Sequence, residues 1–450
     1  MRKGTVFFAL FFILSFAVDS FGSDFESRLK ALEETIRHQG KVIEEQQRTI
    51  NQLKEQLQET KKVETAAAGA TEVAEEKKGG LTGLFSGKDS MNPNISLVLN
   101  TFAYHSNLRE SELEARGIPG YTAEGTSIRK GFTIDSAELF LFAPVDPYFN
   151  LYATIPVTED GVELEEAYFV TTSLPAGLQL KGGKFKSGFG RINAQHPHQW
   201  DFVDIPLPYR AFTGEEGIIE KGAQLTVLPE LPFYILLGFE VLQGQNEVLF
   251  GPDARSGPHA IAAFAKASVD IGDGSTLLFG PSVITGDTKT GSAAESTDLS
   301  GDATLYGMEL TYKWKPSKQR SFTLQSEYLY RTQKGDLSTL EDDVVINVES
   351  LKREQDGLYV QGVYQWGRWR GGARYDRLDL FKDDYSLGGD PVAFGKDPWR
   401  ASGMLEFNPS ESSRIRLQYT HDRAARNARA NNELFLQFIF GIGAHAAHSF

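Results

Sequence analysis

The sequence predicts an all-β transmembrane β-barrel of about 16 antiparallel strands, preceded by a short N-terminal α-helical coiled coil. Three observations predict it. From Asn94 onward, segments of roughly ten residues alternate apolar and polar. Short and long connections between those segments also alternate, and the chain opens with a secretory leader. Composition removes the competitors. The 450 residues contain no cysteine, carry a formal charge of −14 and are 12% aromatic, with a mean hydropathy of −0.31. Beyond the leader no apolar run approaches the about 20 residues of a membrane-crossing helix, which excludes a polytopic helical protein. Without cysteine there is no disulfide scaffold, thiolate metal site or cysteine nucleophile. The acidic balance excludes nucleic acid as a partner, because such binders present basic patches.

Residues 1–22 read as a signal peptide: Arg2 and Lys3 are the basic start, Val6 to Val18 the apolar stretch, and Ser20 or Gly22 the small residue for cleavage. Residues 24–60 read as a coiled coil. Leu29, Ile36, Ile43, Ile50 and Leu57 recur every seven residues, and Leu32, Gln39, Gln46 and Leu53 complete the second seam position. A strict seven-residue repeat drifts off one face of a straight helix, so this seam asks for partner helices and hence an oligomer. Residues 61–91, rich in Ala, Gly, Lys and Glu, read as a flexible linker.

Residues 92–450 form the barrel. In Glu433–Ile442 the residues Leu434, Leu436, Phe438, Phe440 and Ile442 share a face; in Ser413–Thr420, Ile415, Leu417 and Tyr419 oppose Arg414, Arg416, Gln418 and Thr420. In Ala303–Lys315, Tyr306, Met308, Leu310, Tyr312 and Trp314 oppose Glu309, Thr311, Lys313 and Lys315. Lipid demands the first face and a wet lumen the second. Sixteen such segments can be traced, with short links such as Pro144–Tyr148, Pro229–Pro232 and Pro316–Lys318, and long ones near 106–127, 187–216, 243–257, 286–301, 333–355 and 381–397. Short inner turns and long outer loops, with both termini in the periplasm, are what an even-stranded outer-membrane barrel requires. A soluble sandwich or propeller would hide its aromatics and would not sort its connections by length. The final Phe450 resembles the sorting signal of outer-membrane barrels.

The stretches Asn92-Pro93-Asn94-Ile95-Ser96, Ala137-Glu138-Leu139, Ala143-Pro144-Val145-Asp146-Pro147-Tyr148 and Glu165-Glu166-Ala167-Tyr168 carry a family resemblance. It continues through Leu174-Pro175-Ala176-Gly177-Leu178, Gly183-Lys184-Phe185-Lys186, Phe189-Gly190-Arg191-Ile192-Asn193 and His196-Pro197-His198. With the coiled coil, linker and barrel in this order, the chain resembles the phosphate-selective porin O/P superfamily, whose relatives include chains labelled as zinc-related or TonB-dependent outer-membrane receptors. The resemblance implies a trimeric channel narrowed by an inward-folded loop. No lysine-rich constriction is visible, so phosphate does not follow as the solute.

The loop near 187–216 is the candidate constriction. Arg191, His196, His198, Asp201, Asp204, Arg210, Glu215 and Glu216 sit there among Phe189, Trp200, Phe202, Tyr209 and Phe212. So many aromatics suit a loop folded against the lumen wall with its charges lining the pore; an ordered surface loop is the competing reading. By alternation Arg129, Lys181, Lys313, Arg368, Arg370, Arg374, Arg400, Arg414 and Arg416 face the lumen, opposed by Asp135, Glu309, Glu327, Asp376 and Glu406. Such arginines could lean the channel toward anions, or pair with the acids as a structural belt. No metal site is expected: His196/His198 and His445/His448 come with no carboxylate at helical spacing, and adjacent Glu165 and Glu166 should point to opposite faces of a strand. No elbow, zinc-protease or phosphate-loop motif suggests an enzyme, and no cofactor is implied.

The expected function is a porin of the bacterial outer membrane, passing small hydrophilic solutes or ions by passive diffusion, with its coiled coil in the periplasm. Expected partners are outer-membrane lipid and lipopolysaccharide, further copies of the chain, the barrel-assembly machinery during insertion, and peptidoglycan through the coiled coil. Two alternatives stand beside it. A receptor for a metal or its chelate would need a plug domain and a barrel of about 22 strands, for which the chain is too short. A structural envelope anchor would have an occluded barrel.

Overall fold

In the computed structural model the described residues are 93–122, 125, 128–272, 274–292, 297–341 and 344–443. The signal peptide, the coiled-coil seam, the linker, His445, His448 and Phe450 lie outside them. The strands are β1 (Asn94–Ser106), β2 (Gly131–Asp146), β3 (Phe149–Val157), β4 (Glu166–Thr171), β5 (Leu178–Lys186), β6 (Ile219–Val227), β7 (Tyr234–Leu242) and β8 (Ala260–Asp270). They continue as β9 (Ser275–Ser292), β10 (Thr297–Ser317), β11 (Arg320–Glu341), β12 (Val344–Trp366), β13 (Trp369–Leu387), the two-residue β14 (Asp390–Pro391), β15 (Trp399–Ser410), β16 (Ser413–Asp422) and β17 (Asn431–Gly443). Every pairing is antiparallel, and all but the closing one join strands next to each other along the chain, with β14 only a short addition to β13 and β15 continuing the sheet. The sheet closes where β1 pairs with β17, from Ser96 opposite Gly443 to Ser106 opposite Glu433. Among the described residues this is a closed barrel of sixteen strands, β14 apart, so the sheet has no open side.

The period-two pattern sets which way each side chain points. On β10, Tyr306, Met308 and Leu310 are exposed while Glu309 and Thr311 are buried. On β7, Leu237, Phe239 and Val241 are exposed and Glu240 is fully buried; on β16, Leu417 and Tyr419 are exposed while Arg416, Gln418 and Thr420 are fully buried. Apolar outside and polar inside is the inverse of a soluble protein and matches a wall solvated by lipid.

The structure corrects the expected connections. The strands β9 to β13 run 18, 21, 22, 23 and 19 residues, whereas crossing a bilayer takes about 9–11. Much of 286–301 and 333–355, expected as loop, is therefore strand, in hairpins longer than the membrane crossing requires. The turn at the opposite end of β12 is only Gly367-Arg368, and Gly367 adopts φ 61°, a conformation that glycine takes without a Cβ penalty.

Three connections pack their apolar side chains into the barrel. The β1–β2 link carries helix α1 (Glu110–Glu114) and buries Leu108, Leu113, Ile118 and Tyr121. The β7–β8 link buries Leu249 and Phe250 completely. The β5–β6 link buries Phe189, Ile192, Leu207, Tyr209 and Phe212, which join one core with Ile284 of β9, Leu305 of β10, Leu329 of β11 and Tyr359 of β12. Each large apolar side chain taken fully from water contributes roughly 1.5–3 kcal/mol, so this filling is a stable part of the fold.

Candidate channel site

The β5–β6 link, residues 187–218, is tied across the barrel by side chains from at least five strands. Its two ends are stapled by Asn193, whose amide donates to the Ser187 carbonyl at 2.9 Å and the Ile218 carbonyl at 3.1 Å, while its oxygen accepts the Ile218 amide at 2.6 Å. Ser187 and the Gly188 amide both donate to Glu240 of β7. The centre is held by Glu327 of β11. Its carboxylate accepts the backbone amides of Arg191 (2.8 Å) and Ile192 (3.1 Å) and the hydroxyls of Tyr209 and Tyr359, both at 2.6 Å. Four donors on one buried carboxylate fix the chain there.

Gly190 is what lets the chain approach so closely. It adopts φ 61°, and a Cβ on it would lie 2.0 Å from the Tyr209 hydroxyl and 2.5 Å from a Glu327 oxygen. Gly190→Ala should therefore break the Tyr209–Glu327 bond and add left-handed strain of about 1–2 kcal/mol. The expected result is a lower melting midpoint of the folded barrel on heat-modifiability gels; an unchanged midpoint would mean the anchor is not under steric constraint.

Beyond Ile192 the loop makes a 3-10 turn, Pro197–Gln199, then helix α2, Leu207–Thr213. Pro206 and Pro208 suit the start of α2, where orphan amides need no helical acceptor, and the Leu207 amide donates to Asp376 at 3.0 Å. Gly214, at φ 84°, ends the helix. The segment between is gripped by wall arginines. Asp204 receives Arg374 at 2.9 Å, Arg400 at 2.8 Å and the Gln418 amide at 2.6 Å. Arg400 also donates to the Ile205 carbonyl, Arg416 to the Trp200 carbonyl and Arg414 to the His198 carbonyl. Asp201 pairs with Arg370. Fully buried Glu406 meets Arg370 at 2.9 Å and Arg416 at 2.7 Å. Burial would push the Asp204 carboxyl up, but the two guanidinium groups outweigh it and hold it down at about 2.

The nine basic residues assigned to the lumen thus divide. Arg370, Arg374, Arg400, Arg414 and Arg416 face inward and spend their donors on the loop and on wall acids. Lys181, opposite inward Gln224, lies 4.9 Å from the centre of the Tyr168 ring. Lys313 shares the inward face of Glu309 and Thr311 on β10. Arg129 and Arg368 are corrections: Arg129 precedes β2 and Arg368 sits in the β12–β13 turn, both exposed, because the strands start and stop short of them.

On the side of β1, β2 and β17 the loop leaves a cavity of about 510 Å³. Its lining includes Asp135, Glu138, Asp160, Glu163, Glu165, Asp204, Glu215, Glu216 and Glu433 against only Lys186, Arg210 and Arg400 as cations. Each of those cations has a carboxylate within 3.5 Å: Glu165, Glu215 and Asp204 respectively.

One wall of the cavity holds a cluster that the sequence did not reveal. His196 Nε2 lies 3.0 Å from Glu166, and its Nδ1 lies 3.4 Å from Glu165 and 3.6 Å from Glu138; His198 Nδ1 is 3.3 Å from the same Glu138 oxygen. Burial would lower the His196 imidazole, but the flanking carboxylates of Glu165 and Glu166 and the charge of Glu138 push it up to about 10. Glu165 and Glu166 do not point to opposite faces, contrary to the strand rule. β4 begins only at Glu166, so Glu165 is free of the alternation and both carboxylates reach one imidazole.

No protein-family model matches the chain. A protein of Aquifex aeolicus (strain VF5), described as an uncharacterized protein, is 42% identical over 383 residues, covering 80% of either chain. The two belong to one family. Among solved structures, the outer membrane channel DcaP of Acinetobacter baumannii aligns with a TM-score of 0.50 at 12% identity, covering 80% of this chain and 99% of that one. The anion-selective porin from Comamonas acidovorans aligns at 0.48 and 8% identity, covering 78% and 99%. The likeness to DcaP shows that this chain has the fold of an outer-membrane channel barrel; the likeness to phosphate-selective porins in particular is a matter of the sequence resemblance alone.

Proposed function

We propose that the chain is an outer-membrane porin, a channel for passive diffusion of small hydrophilic solutes or ions, with a preference for cations. The observation that supports it most directly is the cavity left beside the inner loop, where nine carboxylates line the wall against three paired cations. Like-charged groups in a narrow, low-dielectric passage concentrate counter-ions and repel co-ions. The anion lean expected from the arginines loses its basis, since the five inward arginines are bonded to the loop and wall. The loop at 187–218 is the constriction, with Arg210, Glu215 and Glu216 at the cavity. The setting is the bacterial outer membrane, as a homo-oligomer that the family resemblance makes a trimer, with lipid and lipopolysaccharide around the wall and the N-terminal coiled coil reaching into the periplasm.

Neutralising the lining tests the selectivity. The triple variant Asp160→Asn, Glu215→Gln, Glu216→Gln should move the reversal potential in a potassium chloride gradient toward zero with little change of conductance. A potential that stays put would place the selectivity elsewhere. A second reading is favoured by one observation: the apolar core of Phe189, Phe212, Ile284, Leu305 and Leu329 fills part of the barrel interior. If folded barrels carry no current, an envelope anchor with an occluded lumen replaces the porin.

A further inference from the structure

We infer that His196, Glu138 and Glu165 form a binding site for a divalent transition-metal ion such as zinc, with His198 as the adjoining ligand and Glu166 holding the far Nε2 edge of His196. Geometry carries this. Tetrahedral zinc with bonds of roughly 2.0–2.2 Å to nitrogen and oxygen sets its donor atoms about 3.3 Å apart. The separations here are 3.4 Å for His196 Nδ1 to Glu165, 3.6 Å for His196 Nδ1 to Glu138 and 3.3 Å for His198 Nδ1 to Glu138. One ligand atom from each of Glu138, Glu165 and His196 falls within 4.8 Å of the other two. Buried His196 Nδ1 has no hydrogen-bond partner, although two carboxylates flank it. Those spacings are long for hydrogen bonds and match the edges of a coordination polyhedron.

Charge and access agree. Glu138, Glu165 and Glu166 bring −3, and Lys186, 2.9 Å from Glu165, brings +1, leaving −2 once a bound ion has displaced any proton from the imidazoles. A divalent ion cancels that. Imidazole and carboxylate together suit zinc and its neighbours rather than calcium or magnesium, which prefer all-oxygen shells. The His196 and His198 rings stack nearly parallel, 14° apart, so both present an Nδ1 edge to Glu138. Glu138, Glu165 and His198 line the cavity, giving an ion in the lumen a route to the site. The donors come from β2, the β3–β4 link and the inner loop, so a bound ion would also clamp the constriction to the wall. The site stands whether or not the barrel conducts.

The test is titration of the purified, folded full chain with zinc chloride by calorimetry, and with cobalt chloride by visible absorption. The expected result is one zinc per chain and the intense d–d bands of tetrahedral cobalt. Affinity should fall at least tenfold in Glu165→Gln and in His196→Gln, while His445→Gln with His448→Gln leaves it unchanged. Gel heat-modifiability confirms folding of each variant, and Glu165→Gln decides if His196→Gln does not fold. No zinc uptake by the wild-type chain, uptake unaltered in Glu165→Gln, or uptake lost in the His445/His448 variant would overturn the inference.

Discussion

Glu327→Ala is expected to free the inner loop, raising single-channel conductance several-fold and lowering the melting midpoint of the folded barrel. The change strips the acceptor from four donors at once: the Arg191 and Ile192 amides and the Tyr209 and Tyr359 hydroxyls. Each buried donor left unsatisfied costs about 1–3 kcal/mol, so the segment gains more by leaving the wall and meeting water than by staying. The arginines of β13, β15 and β16 hold the far half of the loop, so release begins between Ser187 and Asn193. Planar-bilayer recordings and protease sensitivity of residues 187–218 check this together. Unchanged conductance and protection would show that the apolar core of Phe189, Phe212 and Leu305 holds the loop without the carboxylate.

Asp204→Ala should be the most destabilising single change in the loop, by about 3–5 kcal/mol, the usual cost of stranding one partner of a buried ion pair. It leaves Arg374 and Arg400, both almost wholly buried, with Asp376 as the one carboxylate still ion-paired to them among the described residues. The same pair makes a pH prediction. The Asp204 carboxyl is held down at about 2, below the about 3.9 of an unfolded chain. A depressed carboxyl stabilises fully above pH about 4 and loses that contribution as pH falls toward 2. Thermal midpoints measured from pH 5 to pH 2 should drop for the wild type and drop less for Asp204→Asn. Equal slopes would assign the acid sensitivity to other groups.

The barrel was legible because lipid on one face and polar groups on the other impose a period of two that no other fold sustains so long. Tyr306 to Trp314 and Leu434 to Ile442 read that way directly. What the sequence hid was the length of β9 to β13. The stretch Asn347–Gln355 of β12 is mostly polar and charged, with only Val348 and Leu351 apolar, so it reads as loop although it pairs from Asn347 opposite Thr339 onward. The site was half legible. Aromatic and charged residues crowded between Phe189 and Glu216 mark a packed loop. Their partners Glu240, Glu327, Asp376 and Glu406 come from strands up to about two hundred positions away and carry no local signature. Arg374 and Arg416 were readable as inward, with pairing to wall acids as one of two readings, but not which acid or loop carbonyl each meets, since alternation gives a face and never a partner. The His196 cluster escaped for the same reason: Glu138 and Glu165 reach it through barrel closure, not through helical spacing.

The central claim is an ion-conducting, cation-preferring channel narrowed by an anchored inner loop. Single-channel recording of the folded full chain in planar bilayers, with reversal potentials in a potassium chloride gradient, tests it most directly. The account predicts discrete openings and a reversal potential displaced toward that of potassium. Folded barrels that insert yet pass no current, or a potential displaced toward that of chloride, would contradict it.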